Sequence, residues 1–453
     1  MDNENTVYTD AVRRLTAGEP HRYYVVTLGC QQNEADSEKL RAMARDMGYL
    51  PAEWAENASL IVVNTCAVRR HAEEKALSLV GTFKHIKTEH PEVIIGICGC
   101  MAAEPGTVRT IKQSFPYVSF TLEPNMLHRF PELVFGALSE NRRTFVLGED
   151  RGEIVEGVKP LRSVRHRAWV SVMYGCNNFC SYCIVPYVRG RERSRDSRAV
   201  LDECRGLIAD GCREITLLGQ NVNSYRSDTD FAGLVTKIAQ LEGDFIIRFM
   251  TSHPKDVSDG LIEAMRRYPE KIAPCFHLPL QSGSDRILRA MNRKSTREHY
   301  LSIVKKLREA VPGIALTTDI IVAFPGETEE DFEETCRMVE EVGYDSLFSF
   351  IFSPREGTPA ARMENTIPKE EKTRRMTRLL DISKRIAYEK NLPYEGQTVR
   401  VLADSDAREG GYLGRTPTGK LVRFSAEENP VGQFVNVRIE KATPYDLFGK
   451  MCK

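Results

Sequence analysis

The sequence contains no run approaching the roughly 20 consecutive apolar residues that a membrane-spanning helix needs, so no such span is expected. No basic and then apolar leader is expected either. The opening MDNENTVYTD is acidic and polar, unlike a secretory signal, which sets the expectation of a cytoplasmic, reduced protein. Net charge is missing too: 63 Lys and Arg balance 63 Asp and Glu, so bulk electrostatics announce no nucleic-acid partner. Low-complexity tracts and short repeats are absent. What is left is a chain of 453 residues, 42% hydrophobic and 28% charged, which reads as a soluble globular protein of two or three domains.

Cysteine is the residue in surplus. Twelve thiols in a reducing compartment point to metal binding or catalysis rather than disulfides. Basic residues, though balanced overall, cluster locally. The segment 159–198 holds nine Lys/Arg against two acidic residues, and 369–390 holds eight against four. Local basic surfaces of this kind can hold a phosphate backbone, although solvated loop and helix faces explain charge alone as well.

The chain organises as α/β in three parts. From 21 to 147, YYVVTLGC, SLIVVNTC and VIIGICGC read as buried strands. EADSEKLRAMARDMG and RHAEEKALSLVGTFKHI read as helices between them, giving an open α/β sheet domain with crossovers. A polar stretch at 148–160 reads as a linker. From 162 to 390, six strand-like runs (AWVSVMYG, EITLLGQN, FIIRFMTSH, CFHLPLQ, IALTTDIIVAF and SLFSFIFSP) alternate with helical segments. That is a partial (β/α)6 barrel, short of the eight units that close a TIM barrel. From 391 to 453, QTVRVLAD, GYLGRT, KLVRFSA, QFVNVRIEKA and DLFGKM alternate like strands broken by Gly, Pro and Asp. They predict a small antiparallel β-barrel of the oligonucleotide-binding kind.

The sharpest local signal is Cys176-Asn-Asn-Phe-Cys180-Ser-Tyr-Cys183. Three thiolates on one tight loop can hold three irons of a cubane cluster and leave the fourth open, whereas ferredoxin-type clusters usually take four cysteines. An open metal position is what a substrate-binding cluster requires. The competing reading is a zinc knuckle, but no fourth Cys or His follows at knuckle spacing. The loop follows the first barrel strand at its carboxyl end, the face on which βα-barrel active sites are built.

A second set is dispersed. Cys30, Cys66 and Cys100 each end a predicted strand, and in an open α/β sheet such ends converge on one crevice. Three thiolates could meet there around a second cluster, again one ligand short. A cysteine at a strand end is also often a small buried hydrophobe. Cys98 shares a strand with Cys100 and competes as ligand. Cys100 is favoured because Gly99 and the following loop put it at the turn. Cys204, Cys212, Cys275, Cys336 and Cys452 read as packing or unpaired thiols.

At CNNFCSYC the sequence resembles the radical S-adenosylmethionine superfamily. CIVPYVRGRERSR, TLGCQQNEADSE, VNTCAVR and GCMAAE resemble its methylthiotransferase family, as do HLPLQSGSDRILRAMNR, TTDIIVAFPGETEEDF and FSPREGTPAARM. The last segment, with LGRTPTGKLVRF, resembles the TRAM domain that ends these enzymes. One departure is Ala323 in AFPGE, where the family pattern has Gly. The resemblance implies two [4Fe-4S] clusters and S-adenosylmethionine as cofactors. Cys176, Cys180 and Cys183 would hold the cluster that cleaves S-adenosylmethionine to a 5′-deoxyadenosyl radical. Cys30, Cys66 and Cys100 would hold the auxiliary cluster that carries the inserted sulfur. The radical would activate the aromatic C2–H of an N6-isopentenyladenosine next to the anticodon in tRNA, a hydrogen no protein base could remove. An electron donor such as a flavodoxin is implied as partner. Tyr182 stands where the superfamily places an adenine contact, and Gln220, Gln281 and Asp319 stand where it places groups near the methionyl end. An ordinary polar residue at a strand end describes each of these four equally well.

Two other classes compete. An electron-transfer iron–sulfur protein would use closed four-cysteine clusters and needs no RNA-binding barrel. An RNA-binding module with structural metal leaves the open three-cysteine loop unexplained. Within the family, a threonylcarbamoyl-modified adenosine of tRNA and an aspartate of a ribosomal protein are the alternative substrates. Arg415, Lys420 and Arg423 favour RNA as the expected phosphate contacts, although 391–453 carries nine basic residues to eight acidic.

Overall fold

Leu60–Thr65 is a run of large and β-branched residues buried along its whole length, and it forms the central strand of a parallel sheet. In the computed structural model, which describes residues 2–67, 70–148, 154, 156–407 and 410–452, two units can be distinguished. One comprises Met1–Ser163, Tyr174–Asn177 and Cys183–Arg193; the other comprises Val164–Met173, Asn178–Tyr182 and Ser194–Lys453.

The first unit begins with α1 (Asp2–Leu15), β1 (Arg22–Leu28), α2 (Gln31–Asp46), β2 (Leu50–Pro51) and β3 (Leu60–Thr65). It continues through α3 (Arg70–Thr82), α4 (Lys84–Glu89), β4 (Ile94–Gly99), α5 (Pro105–Ser114), β5 (Phe120–Leu122), α6 (Phe130–Ser139) and β6 (Thr144–Phe145). The strands are parallel and ordered β2-β1-β3-β4-β5-β6. Alternate residues of β3 enter different cores: Leu60 and Val62 pack with Met43, Phe120 and Phe130, while Ile61 and Val63 pack with Ala76, Val80 and Ile111. Both faces are therefore covered, which is why the strands read as continuous apolar runs. The chain order reverses between β1 and β3, and the carboxyl ends of those strands form the topological switch point of such a sheet. Sequence periodicity found β1, β3 and β4. It missed α1, which packs through Tyr8 on Phe135 of α6, and the strands β2, β5 and β6, which span only two or three residues each.

Residues 149–153 and 155 of the predicted linker 148–160 lie outside the described residues, as do Val68 and Arg69 of the VNTCAVR motif. Next come β7 (Arg167–Ser171), β8 (Met173–Tyr174), α7 (Val185–Val188) and β9 (Arg193–Ser194). The second unit then repeats strand and helix: α8 (Ser197–Ala209), β10 (Glu214–Leu218), α9 (Phe231–Ala239), β11 (Ile246–Phe249), α10 (Asp259–Arg267), β12 (Cys275–His277), α11 (Asp285–Ala290), α12 (Arg297–Ala310), β13 (Ala315–Val322), α13 (Glu329–Val342) and β14 (Ser346–Ile351). Two parallel sheets, β11-β10-β7 and β12-β13-β14, are joined by a parallel bridge between Ile247 and Ile272. Six parallel strands thus follow one another as the partial barrel that the six apolar runs predicted, around a core that includes Val170, Leu217, Ile247, Phe276 and Leu316.

Helix α14 (Lys369–Asn391) lies on α13 and β14 and leads to β15 (Thr398–Asp406), β16 (Tyr412–Arg415), β17 (Leu421–Ser425), β18 (Phe434–Ala442) and β19 (Asp446–Met451). These close into a barrel ordered β15-β16-β17-β19-β18. It is not wholly antiparallel, because β17 and β19 run parallel. Among the described residues no helix is long and apolar enough to cross a membrane.

Candidate functional site

In the first unit the register aligns Leu28 with Thr65 and Thr65 with Gly99. Cys30, Cys66 and Cys100 therefore leave three neighbouring strands at nearly the same level, and the Cys66 N–H donates to the Leu28 carbonyl at 3.0 Å. Gly99 sets the last of these turns. Its φ is +96°, and a Cβ there would lie 2.3 Å from the Thr65 carbonyl oxygen and 2.4 Å from Asn64 Oδ1, so no other residue fits. The turn carries Cys100 off the strand. Cys98, still within β4, is buried in the core with Phe120 and Leu122.

A buried amide lattice fixes the same loops. Asn33 Oδ1 accepts from the Cys30 N–H at 3.2 Å and from Cys30 Sγ at 3.3 Å, while its Nδ2 donates to Asn64 Oδ1 at 3.1 Å. Asn64 Nδ2 in turn donates to the Asn33 carbonyl at 2.8 Å and to Ser37 Oγ at 2.9 Å. Arg189 completes the surroundings: its Nε donates to Cys100 Sγ at 3.1 Å and its Nη2 to Asp36 Oδ2 at 3.0 Å. A hydrogen bond with Cys66 and the nearby Arg189 charge draw the Cys30 thiol down to about 6 against the opposing effect of burial. Burial pushes the Cys100 thiol up, with Arg189 opposing it, and burial pushes Cys98 up as well.

The loop at 176–183 is braced along its length. Gly175 has φ of +77°, and a Cβ there would come within 2.0 Å of the Arg191 carbonyl oxygen; the Cys176 N–H donates to the Gly190 carbonyl at 3.1 Å. In the second unit, Phe179 and Asn292 both adopt left-handed backbone, and Asn292 Nδ2 donates to the Phe179 carbonyl at 2.8 Å. The Ser181 N–H donates to the Met291 carbonyl, and its hydroxyl to that of Ala290, each at 2.9 Å. Tyr182 packs against the apolar cluster of Ile287, Met291, Phe324, Phe352 and Ala360. Cys176 and Cys180 are buried and Cys183 half-buried.

Strained backbone marks the carboxyl end of the partial barrel. Thr251, Gln281 and Ala323, each just beyond β11, β12 or β13, have φ of +69°, +72° and +59°. Left-handed non-glycine residues cost about 1–3 kcal/mol each and gather at functional sites. The Ala323 departure thus falls where glycine would be relaxed. Gln281 is buried and bonds through its backbone to Asp319 and Ile321 of β13, at 2.8 and 2.9 Å. Asp319 lies 3.3 Å from His277 Nε2 within the strand rather than at its end. Gln220 is half-buried, two residues past β10.

Several residues at this end escaped sequence reasoning. His253 Nδ1 accepts from the Lys255 N–H at 3.2 Å, whereas its buried Nε2 has no hydrogen-bond partner among the described residues. Burial, then the charges of Arg293 and Lys255, draw its pKa down to about 2. Arg293 Nη1 points at Cys180 Sγ at 3.9 Å, and its Nε is likewise unpartnered among the described residues. Asn33, Asn64 and Arg189 lay inside quoted motifs, but only the folded contacts single them out.

The expected phosphate contacts need correction. Lys420 is buried and pairs with Asp345 at 2.7 Å; Arg423 pairs with Asp446 at 2.7 Å. On α14, Arg374, Arg375, Arg378 and Arg385 pair with Glu329, Glu327, Glu333 and Glu340, so much of that basic segment is spent on α13 and its N-terminal loop.

Among the described residues no three His, Cys, Asp or Glu side chains stand ready around a single metal ion. The donor sets nevertheless suit iron–sulfur clusters. None of the twelve cysteines is joined in a disulfide, one of the strand-end trio has a thiolate-range pKa, and a guanidinium faces another.

Three family models match the chain: the radical SAM superfamily over residues 170–339, the uncharacterized protein family UPF0004 over 22–123, and the TRAM domain over 393–452. The chain is 47% identical over 436 residues to a tRNA-2-methylthio-N(6)-dimethylallyladenosine synthase of Clostridium perfringens, covering 95% of this chain and 97% of that protein. It is 45% identical over 434 residues to the Clostridium botulinum protein of the same name, covering 94% and 96%. Among solved structures, the radical S-adenosylmethionine methyltransferase TsrM from Kitasatospora setae shares the fold. That match has a TM-score of 0.57 at 13% identity and covers 75% of each chain.

Proposed function

The chain belongs to the family of tRNA-2-methylthio-N(6)-dimethylallyladenosine synthases, and from that premise we propose that it adds a methylthio group to C2 of N6-isopentenyladenosine beside the anticodon of tRNA. In this reading Cys176, Cys180 and Cys183 would hold a [4Fe-4S] cluster that binds S-adenosylmethionine, and Cys30, Cys66 and Cys100 would hold a second one. When bound, the first would supply the electron that cleaves the sulfonium and the second the sulfur, the methyl group coming from a second S-adenosylmethionine. The observation that carries the reading is the second trio: three cysteines leaving adjacent parallel strands at one level, at the sheet's switch point. An enzyme that only generated a radical would have no use for them.

The chain's own residues bind, orient and shield. Tyr182 on its apolar cluster offers a surface for the adenine of the cofactor, and Gln220, Gln281 and Asp319 offer polar groups for its methionyl end. Phe348 and Phe350 of β14, in register with Asp319 and Ile321, are 45% and 39% exposed. That aromatic wall suits a prenyl substituent. On the closed barrel, Arg438 and Lys450 stand opposite each other on β18 and β19, both exposed; Lys450 pairs with Glu440 at 3.2 Å, which makes Arg438 the better candidate for phosphate contact. The target base has to leave its stack to be reached, so the anticodon loop is held by its backbone while the adenosine is turned out. The reaction belongs in the reducing cytoplasm, with an electron donor such as a flavodoxin.

The test offers the reconstituted enzyme isopentenylated tRNA, threonylcarbamoylated tRNA and ribosomal protein side by side. Methylthiolation of the first alone is expected. Turnover only on either of the others would refute the substrate while leaving the chemistry standing.

A further inference from the structure

Arg189 is 3% exposed, in a place where an unpaired guanidinium would be strongly destabilising. It caps α7, where Val188 and the preceding Ile184 pack with Ala67 and Cys100 in a small buried cluster. Its fork is shared between two partners. Nη2 meets Asp36 of α2 at 3.0 Å, and Nε meets Cys100 Sγ at 3.1 Å. Asp36 is itself buried and fixed by Gln32 Nε2 at 3.2 Å, so the guanidinium plane is held from behind. Helix α2, which carries Asp36, has Cys30 as its N-cap. One carboxylate and one sulfur therefore aim a buried, permanently charged donor at the strand-end trio. A purely structural Arg–Asp pair would not need its second N–H on a sulfur.

We infer that Arg189 is the positioning residue of the auxiliary centre: held by Asp36, it donates an N–H to the Cys100 sulfur and so raises the reduction potential of the cluster bound there. This rests on the reading that Cys30, Cys66 and Cys100 hold an iron–sulfur cluster. Hydrogen bonds to ligand sulfurs and nearby positive charge stabilise the reduced, more negative state, and outer contacts orient the ligands themselves. The two acceptors ask for a planar fork; lysine keeps the charge but cannot reach both.

The experiment uses the full chain carrying Cys176→Ala, Cys180→Ala and Cys183→Ala, so that only the auxiliary centre can form. After anaerobic reconstitution this parent binds about four irons. Its midpoint is read by redox titration with electron paramagnetic resonance, beside added Arg189→Gln and Arg189→Lys. At the parent's midpoint potential, Arg189→Gln should show a reduced-to-oxidised ratio at least tenfold lower, a shift of about 59 mV for a one-electron couple. Arg189→Lys should fall between. If Arg189→Gln retains no iron, Arg189→Lys alone decides, since a lowered midpoint is still required of it. A parental midpoint in whichever variant holds iron overturns the role of Arg189. A parent that binds no iron overturns the cluster reading itself, and the two failures are distinct.

Discussion

Replacing Arg248 with Met should free the C-terminal barrel from the central one. Arg248 on β11 is buried, and its Nε meets Glu214 of β10 at 2.6 Å. Its other nitrogens reach into the turn between β16 and β17, donating to the Thr416 and Pro417 carbonyls at 2.8 Å each. Removing one partner of a buried ion pair costs about 3–5 kcal/mol, and each hydrogen bond lost from this charged group to the turn about 1.5–3, the Thr416 carbonyl keeping its bond from the Gly419 N–H at 2.9 Å. If 3 kcal/mol of this falls on docking, the undocked population rises roughly a hundredfold. The assay is limited trypsinolysis after Lys390, which is exposed but followed by buried Asn391, whose amide donates to the Thr443 carbonyl at 2.7 Å. Cleavage there should accelerate by about that factor, and Lys420→Met, which breaks the pair with Asp345, should act in the same direction. Wild-type resistance in Arg248→Met would refute the lock. So would a Lys420→Met variant that digests normally but loses about one unit of salt slope in tRNA binding, the signature of a phosphate contact.

Gly99→Ala should displace Cys100, because its Cβ has no room beside Thr65 and Asn64, and reconstituted iron should drop from about eight to about four per chain; Cys98→Ala should keep about eight, and the reverse pattern would make Cys98 the ligand. His253 gives a pH signature. Its ordinary pKa of 6.5 falls to about 2 on folding, so the unfolded chain takes the proton first and stability drops as pH falls below 6.5. At pH 5 that amounts to about 2 kcal/mol, and His253→Gln removes it. Urea unfolding followed by Trp169 in a Trp54→Phe background should show the wild type losing that much more than the variant between pH 7.5 and 5. A constant difference would contradict the assignment.

The strand-ending cysteines and the CNNFCSYC loop were legible because spacing and strand pattern are local properties. So were the six apolar runs of the partial barrel, each long enough to show its period. What surrounds the cysteines was not. Asn33 and Asn64 bond across 31 residues, and Arg189 reaches Cys100 across 89, so no window of sequence contains them together. Charge misled for the same reason. Lys420 and the arginines of α14 look like an RNA-binding stripe until the fold supplies Asp345 and the glutamates of α13. Strands of two residues, such as β2 and β6, exist only because a neighbour pairs with them.

The account stands on two cysteine trios with separate duties, and one reaction reads both. Full chain carrying Cys30→Ala, Cys66→Ala and Cys100→Ala, with its other cluster reconstituted, is given S-adenosylmethionine, a reductant and isopentenylated tRNA, and 5′-deoxyadenosine and 2-methylthio nucleoside are quantified together by mass spectrometry. The expected result is 5′-deoxyadenosine without methylthio product. Methylthio product at the wild-type level, or no 5′-deoxyadenosine from a folded variant holding about four irons, would contradict the division of labour.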